Sequence, residues 1–303
     1  MAKYILKRVL LAIVSVLVVS VITFFTMHLI PGGPFNKEKA TSAQAKKVLE
    51  ERYNLDKPLG EQYVLYMARL LKGDWGVSMK SFRDIKPDLY ARFGVSARLG
   101  GTAALVAIIL GLIFGSIAAL TRNKLPDRLI VFFVTLFTAM PSFVFATILL
   151  YAFCLKLNLV PVWDPKNPNY ILPIIALSAY PMAYITRLTK TSMLDALNQD
   201  YIRTAKAKGV ARAKLIFVHG MRNALIPVIT YVGPMVAYIL TGSMVVENIF
   251  TIGGLGSSFV TSITNRDYST IMAVTIFLAV LMVIANLITD IVYKFVDPRI
   301  TFE

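Results

Sequence analysis

The chain has 303 residues, of which 56% are hydrophobic and only 16% are charged, against about 25% charged residues in an average soluble domain. Its apolar residues are clustered into long runs, which predicts a membrane protein and excludes an ordinary soluble domain. The net charge of +15 would suggest nucleic acid as the partner of a soluble protein. Here the basic residues lie between the apolar runs, as in cytoplasmic loops of membrane proteins, so we expect contact with membrane lipid and none with nucleic acid.

The first apolar run, residues 9–30, follows three basic residues and superficially resembles a secretory signal peptide. Its 22 residues would form a helix of about 33 Å, which is long enough to cross a membrane. The apolar core of a signal peptide is shorter, about 7–15 residues, so we expect a retained transmembrane helix. The following segment, residues 31–96, predicts a small folded extracytoplasmic subdomain with helices over 43–54 and 60–71.

Five further apolar runs predict transmembrane helices, because an unpaired strand would leave its backbone polar groups unsatisfied in lipid. These runs are residues 99–121, 129–155, 171–193, 224–246 and 271–293. Pro141 lies in the middle of the third run and is expected to kink it. Gly111 and Gly115 form a small-xxx-small pair in the second run, which favours close approach of another helix.

The distribution of basic residues predicts the orientation of these helices. With the N-terminus inside, the inside segments hold 16 Lys and Arg residues and the two short outside loops hold three, which favours cytoplasmic positions for both termini. The expected organisation is a cytoplasmic N-terminus with the first transmembrane helix (1–30), the extracytoplasmic subdomain (31–96), a five-helix membrane core (97–296) with a cytoplasmic loop at 195–222, and a cytoplasmic tail (297–303).

Motifs for catalysis are absent from the sequence. It contains no G-x-x-x-x-G-K-[ST] phosphate loop, no G-x-S-x-G nucleophile motif and only two histidines, so we expect no catalytic residue and no metal site in this chain. Carboxylates at membrane depth, which ion-coupled carriers usually need, are few; Glu247 and Asp290 lie near the ends of runs. If the protein is a pump, something other than ion coupling is therefore expected to supply the energy.

The loop at residues 195–222 has a pattern of its own. Its first part predicts a short helix that ends at Gly209, a residue suited to a left-handed helix stop, and a second amphipathic stretch follows to His219. One face of the first helix, at spacings of three and four, holds Leu197, Tyr201, Thr204, Ala205 and Lys208. The loop could simply set the topology through its basic charge, but a helix–glycine–helix joined to two membrane helices also suits a lever for a partner below the membrane.

The segment from Gln199 to Gly209 resembles the cytoplasmic signature loop of bacterial ABC-importer permeases, E-A-A-x-x-x-G followed by I-x-L-P. It is similar to the oligopeptide, dipeptide and nickel branch, although Arg-Thr-Ala (203–205) replaces Glu-Ala-Ala and Pro227 lies 18 residues after Gly209. Further motifs similar to the first-permease type of this branch occur in order along the chain. They are Y-I-L-K-R-V from Tyr4, I-P-G-G-P from Ile30, G-D-W-G-V-S from Gly73, M-P-S from Met140, V-E-N-I-F from Val246, G-G-L-G from Gly253 and D-P-R-I from Asp297.

This resemblance implies a fold class and a function. The fold is an all-α polytopic membrane protein with six transmembrane helices, a cytoplasmic coupling helix and a small extracytoplasmic subdomain. The function is the permease subunit of an importer for di- or oligopeptides; nickel or another small solute is the alternative substrate, and an ion-coupled secondary carrier is a remote alternative function.

The resemblance also implies the partners. They are a second homologous permease subunit, two cytoplasmic ATP-binding subunits and an extracytoplasmic substrate-binding protein. ATP and magnesium would be held by the partner subunits, and no cofactor by this chain.

Three groups of site residues follow. The resemblance implies that the coupling helix contacts an ATPase through Asp200, Tyr201, Arg203, Thr204, Ala205, Lys208 and Gly209. Mid-helix position and mixed polarity make Pro141, Ser142, Tyr231 and Tyr238 candidates for lining the pathway, with plain helix packing as the alternative. The glycine run Gly253, Gly254 and Gly256 permits close backbone approach and is a candidate contact for the binding protein, with a simple turn as the alternative.

Overall fold

The computed structural model describes residues 2–31, 33–35, 43–241 and 243–296, so the predicted tail, 297–303, lies outside the described residues. The described part of the chain is helical, apart from turns and two isolated β-bridges. Its first helices are α1 (Ala2–Leu29), α2 (Ala43–Arg52), α3 (Leu59–Leu71), α4 (Ile85–Leu120), α5 (Leu125–Ala139) and α6 (Ser142–Leu149), which continues as a π-helical segment, Leu150–Lys156. The remaining helices are α7 (Ile171–Leu197), α8 (Asp200–Ala207), α9 (Arg212–Lys214), a π-helical segment at Leu215–Gly220, α10 (Met221–Leu240), α11 (Met244–Ile249), α12 (Leu255–Asn265) and α13 (Tyr268–Val296).

Five stretches of the described chain are helical, long and apolar enough to cross a membrane. They are Leu6–Leu29, Ile85–Leu120, Ile171–Leu197, Arg212–Ile249 and Tyr268–Ile291. A sixth crossing exists only if the bent pair formed by α5 and the α6 segment counts as one. The structure therefore agrees with the predicted all-α membrane architecture and contains five or six candidate membrane helices.

The predicted helix over 129–155, with its expected kink at Pro141, consists of two separate helical segments. The chain bends by 106° between Leu125–Ala139 and Ser142–Lys156. Met140 and Pro141 both have extended ψ angles, 126° and 136°. Proline has no N–H to continue the helical hydrogen bonds, and its ring disfavours the helical conformation of the residue before it. The expected kink at Pro141 is thus a complete break of the helix.

Two other predicted boundaries also need correction. α4 begins at Ile85, well before residue 99, where the second transmembrane run was predicted to begin. α10 ends at Leu240, before the predicted end of the run 224–246. A separate helix, α11, then begins after Ser243, whose hydroxyl accepts a hydrogen bond from the backbone N–H of Val246 at 3.2 Å. This is a regular N-terminal cap, which marks a new helix.

The chain divides into two compact units, residues 1–95 with 254–283 and residues 96–253 with 284–303. The core of the first unit contains Phe24, Met27, Met79 and Met272. Its loop at 78–79 is held by the buried Asp267, whose carboxylate accepts hydrogen bonds from the Ser78 hydroxyl at 2.5 Å and the Met79 N–H at 3.0 Å. These bonds connect segments almost 190 positions apart in sequence.

In the second unit, α7 packs against α10, α5 and α6. The predicted role of the glycine pair is confirmed, because a Cβ atom at Gly111 would lie 2.6 Å from Ile185 and one at Gly115 would lie 2.5 Å from Thr189. α4 and α7 therefore approach each other at a distance that only glycine permits.

Candidate functional site

The chain reverses direction between α7 and α10 through the short helix α8. Leu197, predicted to lie on this helix, is instead the last residue of α7. The predicted stop at Gly209 is confirmed: its φ is +76°. The Val210 N–H donates to the Ala205 carbonyl at 3.2 Å and the Gly209 N–H donates to the Lys206 carbonyl at 3.0 Å. This pair of bonds is a Schellman motif, which favours glycine at the left-handed position.

The two faces of α8 differ in chemistry. Ile202 is buried and Ala205 is half-buried, and these residues form the face that packs on the protein. The predicted coupling residues Asp200, Tyr201, Arg203, Thr204, Lys208 and Gly209 are exposed. The Arg203 Nη1 atom lies 3.3 Å from the Asp200 Oδ1 atom, but both side chains are largely in solvent. Their ion pair therefore contributes little stability. Six of the seven predicted coupling residues thus lie on an accessible surface, and three of the six are charged: Asp200, Arg203 and Lys208.

α8 is joined directly to the start of α10. The Asn223 side-chain amide donates a hydrogen bond to the Tyr201 hydroxyl at 2.9 Å. A Cβ atom at Gly220 would lie 2.9 Å from the side chain of Leu197, so the end of α7 also packs tightly against this segment. These contacts join α8 to α10, and the end of α7 to the segment that leads into α10. Asn223 was not among the predicted site residues, since 22 positions separate it from Tyr201 and no periodicity connects them.

α7 and α10 also carry the tyrosines predicted to line a pathway. Tyr231 packs on Tyr184 with ring centroids 4.2 Å apart, and Tyr238, two turns further along α10, is 72% exposed. Pro141 and Ser142 are exposed as well, but they lie at the break between α5 and α6. The predicted pathway residues therefore form two separate pairs, one on α10 and one at the break between α5 and α6. Tyr184 of α7 packs against the α10 pair through Tyr231.

Part of the exposed surface of α7 and of α10 is polar, although both helices are apolar on average. On α7 the exposed stripe is Tyr184, Arg187, Thr191 and Asp195, and on α10 it is Asn223, Pro227, Thr230, Pro234 and Tyr238. Charged and polar side chains at membrane depth are costly against lipid and usually face protein or water. The stripe on α7 has helical spacing and could have been found in the sequence.

Two buried polar contacts hold the helices of this unit in place. The Lys190 ammonium donates to the Asp127 carboxylate at 2.5 Å, and the side chains are 23% and 7% exposed. The Ser96 hydroxyl donates to Glu247 at 2.7 Å, and both residues are buried. A charge in the apolar interior requires such partners, so these carboxylates connect helices.

The glycine run after α11 is less accessible than its sequence suggested. Gly254 and Gly256 are buried and Gly253 is half-buried. Leu255 lies between them with no exposed surface, in a cluster with Ile85 and Leu89. The burial of Leu255 draws the run inward, so direct contact of Gly254 and Gly256 with another protein is not supported.

Comparison with known proteins agrees with this arrangement. The profile of the binding-protein-dependent transport system inner membrane component matches residues 111–302, and the profile of the N-terminal part of such membrane components matches residues 1–83. The chain belongs to this family.

Curated relatives in the family match over their full length. The chain is 45% identical over 302 residues to a dipeptide transport system permease protein, DppB, of Bacillus subtilis, covering 99% of this chain and 98% of that protein. It is 40% identical over 306 residues to an oligopeptide transport system permease protein, OppB, of Haemophilus influenzae, covering 100% of both. A DppB of Lactococcus lactis is 39% identical, covering 99% of both.

Among solved structures, a chain of the MetNI methionine ABC transporter in inward-facing conformations matches with a TM-score of 0.56 and 14% sequence identity. The match covers 69% of this chain and 96% of that chain. At this identity the match shows the fold, which is that of an ABC-transporter permease.

Proposed function

We propose that this chain is one transmembrane permease subunit of an ATP-binding-cassette importer that moves di- or oligopeptides across the bacterial cytoplasmic membrane. The observation that carries the proposal is the 45% identity, over 99% of the chain, to a dipeptide transport permease. Nickel or another small solute is the alternative substrate of the same kind of subunit. An ion-coupled carrier would need carboxylates free to exchange ions, whereas Asp127 and Glu247 are engaged in contacts between helices.

The importer is proposed to contain a second homologous permease, two cytoplasmic ATP-binding subunits and an extracytoplasmic binding protein. The ATPases would hold ATP and magnesium, and this chain would not hydrolyse ATP. The polar stripes on α7 and α10 support a partner permease, because they need protein or water against them. They also support a pathway wall that contains Tyr231 and Tyr238.

α8 is proposed to be the coupling helix. Its exposed face would dock on an ATPase, and the Tyr201–Asn223 bond would pass the movement of α8 to α10. Closure of the ATPases on ATP would favour an outward-open bundle, and hydrolysis would restore the inward-open one. The chain then acts as a two-state element whose equilibrium is set by a distant site.

The proposed topology has both termini in the cytoplasm, and it places α8 on the cytoplasmic side with the basic loop around it. The binding protein would act at the opposite side. Of the glycine run predicted to contact it, Gly253 is the residue left partly accessible, and the contact is proposed there.

The function is tested by purifying the tagged chain with its membrane partners and reconstituting the complex into liposomes. A complex that contains a second permease and ATPases, and that accumulates labelled di- or oligopeptide only with ATP, supports the proposal. Uptake of nickel in place of peptide would select the alternative substrate. Uptake that follows an ion gradient without ATP would refute the importer.

The proposed docking of α8 is tested by cross-linking through introduced cysteines. Cys154, the one cysteine of the sequence, is first replaced by serine (Cys154→Ser), so that the introduced cysteine is the one that reacts. Thr204 and Thr264 are both exposed, and each hydroxyl donates to the carbonyl four residues earlier, at 3.0 Å in both cases. Thr204→Cys on α8 should cross-link to an ATPase subunit, whereas Thr264→Cys on α12 should not. Equal cross-linking of the two variants, or none at Thr204, would contradict the docking of α8.

A further inference from the structure

α3 has two apolar faces. One face packs into the core of the first unit through Tyr63, Tyr66, Met67 and Leu70. The other face holds Gly60, Val64, Ala68 and Leu71, which are exposed at helical spacing. Val64 is 64% exposed and Leu71 is 85% exposed. In a subdomain surrounded by water, this second face would be an uncovered apolar stripe.

The inner face of α3 lies deep beside α1. The Tyr63 hydroxyl and the Ser20 hydroxyl are 2.8 Å apart, and the Tyr63 ring lies 5.4 Å from that of Phe24. Ser20 precedes the end of α1 at Leu29 by nine residues, which is about 13 Å along a helix that rises 1.5 Å per residue. α3 therefore runs beside the membrane-crossing part of α1.

α13 gives a second, independent measure of depth. α13 begins at Tyr268, and Met272 and Ile276 belong to the same cluster as the inner face of α3. Tyr66 of α3 lines the same cavity as Met272, which is four residues into α13 and about 6 Å from its start. Two candidate membrane helices thus place α3 roughly 6–13 Å inside the ends of the spans, within one leaflet of a bilayer whose apolar core is about 30 Å thick.

The charges of α3 agree with this depth. No charged residue lies between Gln62 and Ala68. The charges are at the two ends: Lys57 pairs with Glu61 at 2.8 Å, and Arg69 and Lys72 are exposed. Long basic side chains at the ends of an interfacial helix can reach the headgroups while the middle of the helix stays in the apolar region.

The exposed surface of α1 is also apolar. Val18, Ile22 and Phe25 are 50%, 60% and 41% exposed, as expected for a helix that faces acyl chains. α1 and α3, which contact each other through Ser20 and Tyr63, therefore both leave apolar side chains exposed.

We infer that α3 is an interfacial membrane helix whose Gly60–Val64–Ala68–Leu71 face contacts the acyl chains of the leaflet in which α1 ends and α13 begins. Part of the segment predicted to be an extracytoplasmic subdomain is then buried in lipid. The inference does not depend on the transported substrate or on the source of energy.

The test uses two matched cysteine variants of the assembled complex in a Cys154→Ser background. Ala68 and Ser81 are both small and exposed, but Ser81 lies beside the exposed charges of Arg83 and Asp84. Each variant, with Leu71→Cys as a second position on α3, is labelled with a polarity-sensitive fluorophore. The complex is placed in nanodiscs whose lipids have brominated acyl chains.

Labels at Ala68→Cys and Leu71→Cys should emit at shorter wavelength and lose intensity in brominated lipid, and the label at Ser81→Cys should do neither. If the labels on α3 emit at a wavelength as long as that of the label at Ser81→Cys, the stripe faces water. Blue-shifted emission without quenching would show that a protein partner covers it. Either result would overturn the inference.

Discussion

Substitutions at Gly209 test the backbone conformation of the turn after α8 separately from side-chain packing. Gly209 has a φ of +76°, and a Cβ atom there would meet nothing within 4 Å. A Cβ atom therefore causes no clash, and the main cost of a substitution is that of the left-handed backbone. For an ordinary L-residue this cost is about 1–2 kcal/mol, with a β-branched residue such as valine at the upper end and asparagine well below it.

A cost of about 1–2 kcal/mol lowers the population of the native turn about 5- to 30-fold relative to competing conformations, since 1.4 kcal/mol is tenfold. The exposed face of α8 would lose its orientation, while the membrane helices keep their packing. Gly209→Val should therefore reduce peptide uptake several-fold for each ATP hydrolysed, at unchanged abundance in the membrane. Gly209→Asn should stay near the unsubstituted protein.

The measurement is the ratio of peptide accumulated to ATP hydrolysed in liposomes that contain the complete complex. Equal ratios for the Val and Asn variants would refute the reasoning, because the two side chains differ in their tolerance of this φ. A loss of Gly209→Val from the membrane would show instead that the turn is needed for folding.

Three further predictions rest on packing and charge in the second unit. A Cβ atom at Gly100 would lie 2.7 Å from the Ile239 carbonyl oxygen, whereas one at the adjacent Gly101 would meet nothing within 4 Å. Gly100→Ala should therefore destabilise the protein by about 1–3 kcal/mol, and Gly101→Ala should not. Thermal unfolding in detergent measures the difference. Lys190→Met leaves the Asp127 carboxylate without its cation, so it should lower the free energy of unfolding by more than the roughly 0–1 kcal/mol of an exposed ion pair and by at most about 3–5 kcal/mol. Adding Asp127→Leu should restore stability. A double variant less stable than the single variant would contradict this. Tyr231→Ala should lower peptide uptake while Tyr231→Phe, which keeps the ring packing, retains it; unchanged uptake in both would remove this side chain from the pathway.

Much of the architecture could be predicted from local patterns. Long apolar runs can cross a lipid bilayer only as helices, so α1, α4, α7, α10 and α13 could be predicted as membrane helices. Their boundaries were less certain, since hydropathy does not show where a helix continues beyond the bilayer; α4 begins at Ile85, well before its apolar run. The stop at Gly209 was predictable because a left-handed turn is a property of a single residue.

The contacts that build the candidate site were not visible in this way. Three of these contacts are hydrogen bonds between residues that are distant in sequence. They join Asn223 with Tyr201, Asp127 with Lys190, and Asp267 with the loop at 78–79, which are 22, 63 and almost 190 positions apart. A polar residue in an apolar segment indicates that some partner is required, but its sequence does not identify the partner. Only the packing of the helices brings these atoms within hydrogen-bonding distance.

Hydropathy, charge and turn-forming residues act over neighbouring positions, so the sequence alone predicts a helical membrane protein with a basic helix–glycine–helix loop and a distortion at Pro141. Tertiary packing sets which face of each helix is covered. It buries Gly254 and Gly256 beside Leu255, and it places α3 beside α1 and α13. Burial depends on residues that are distant along the chain, so no local pattern could assign it.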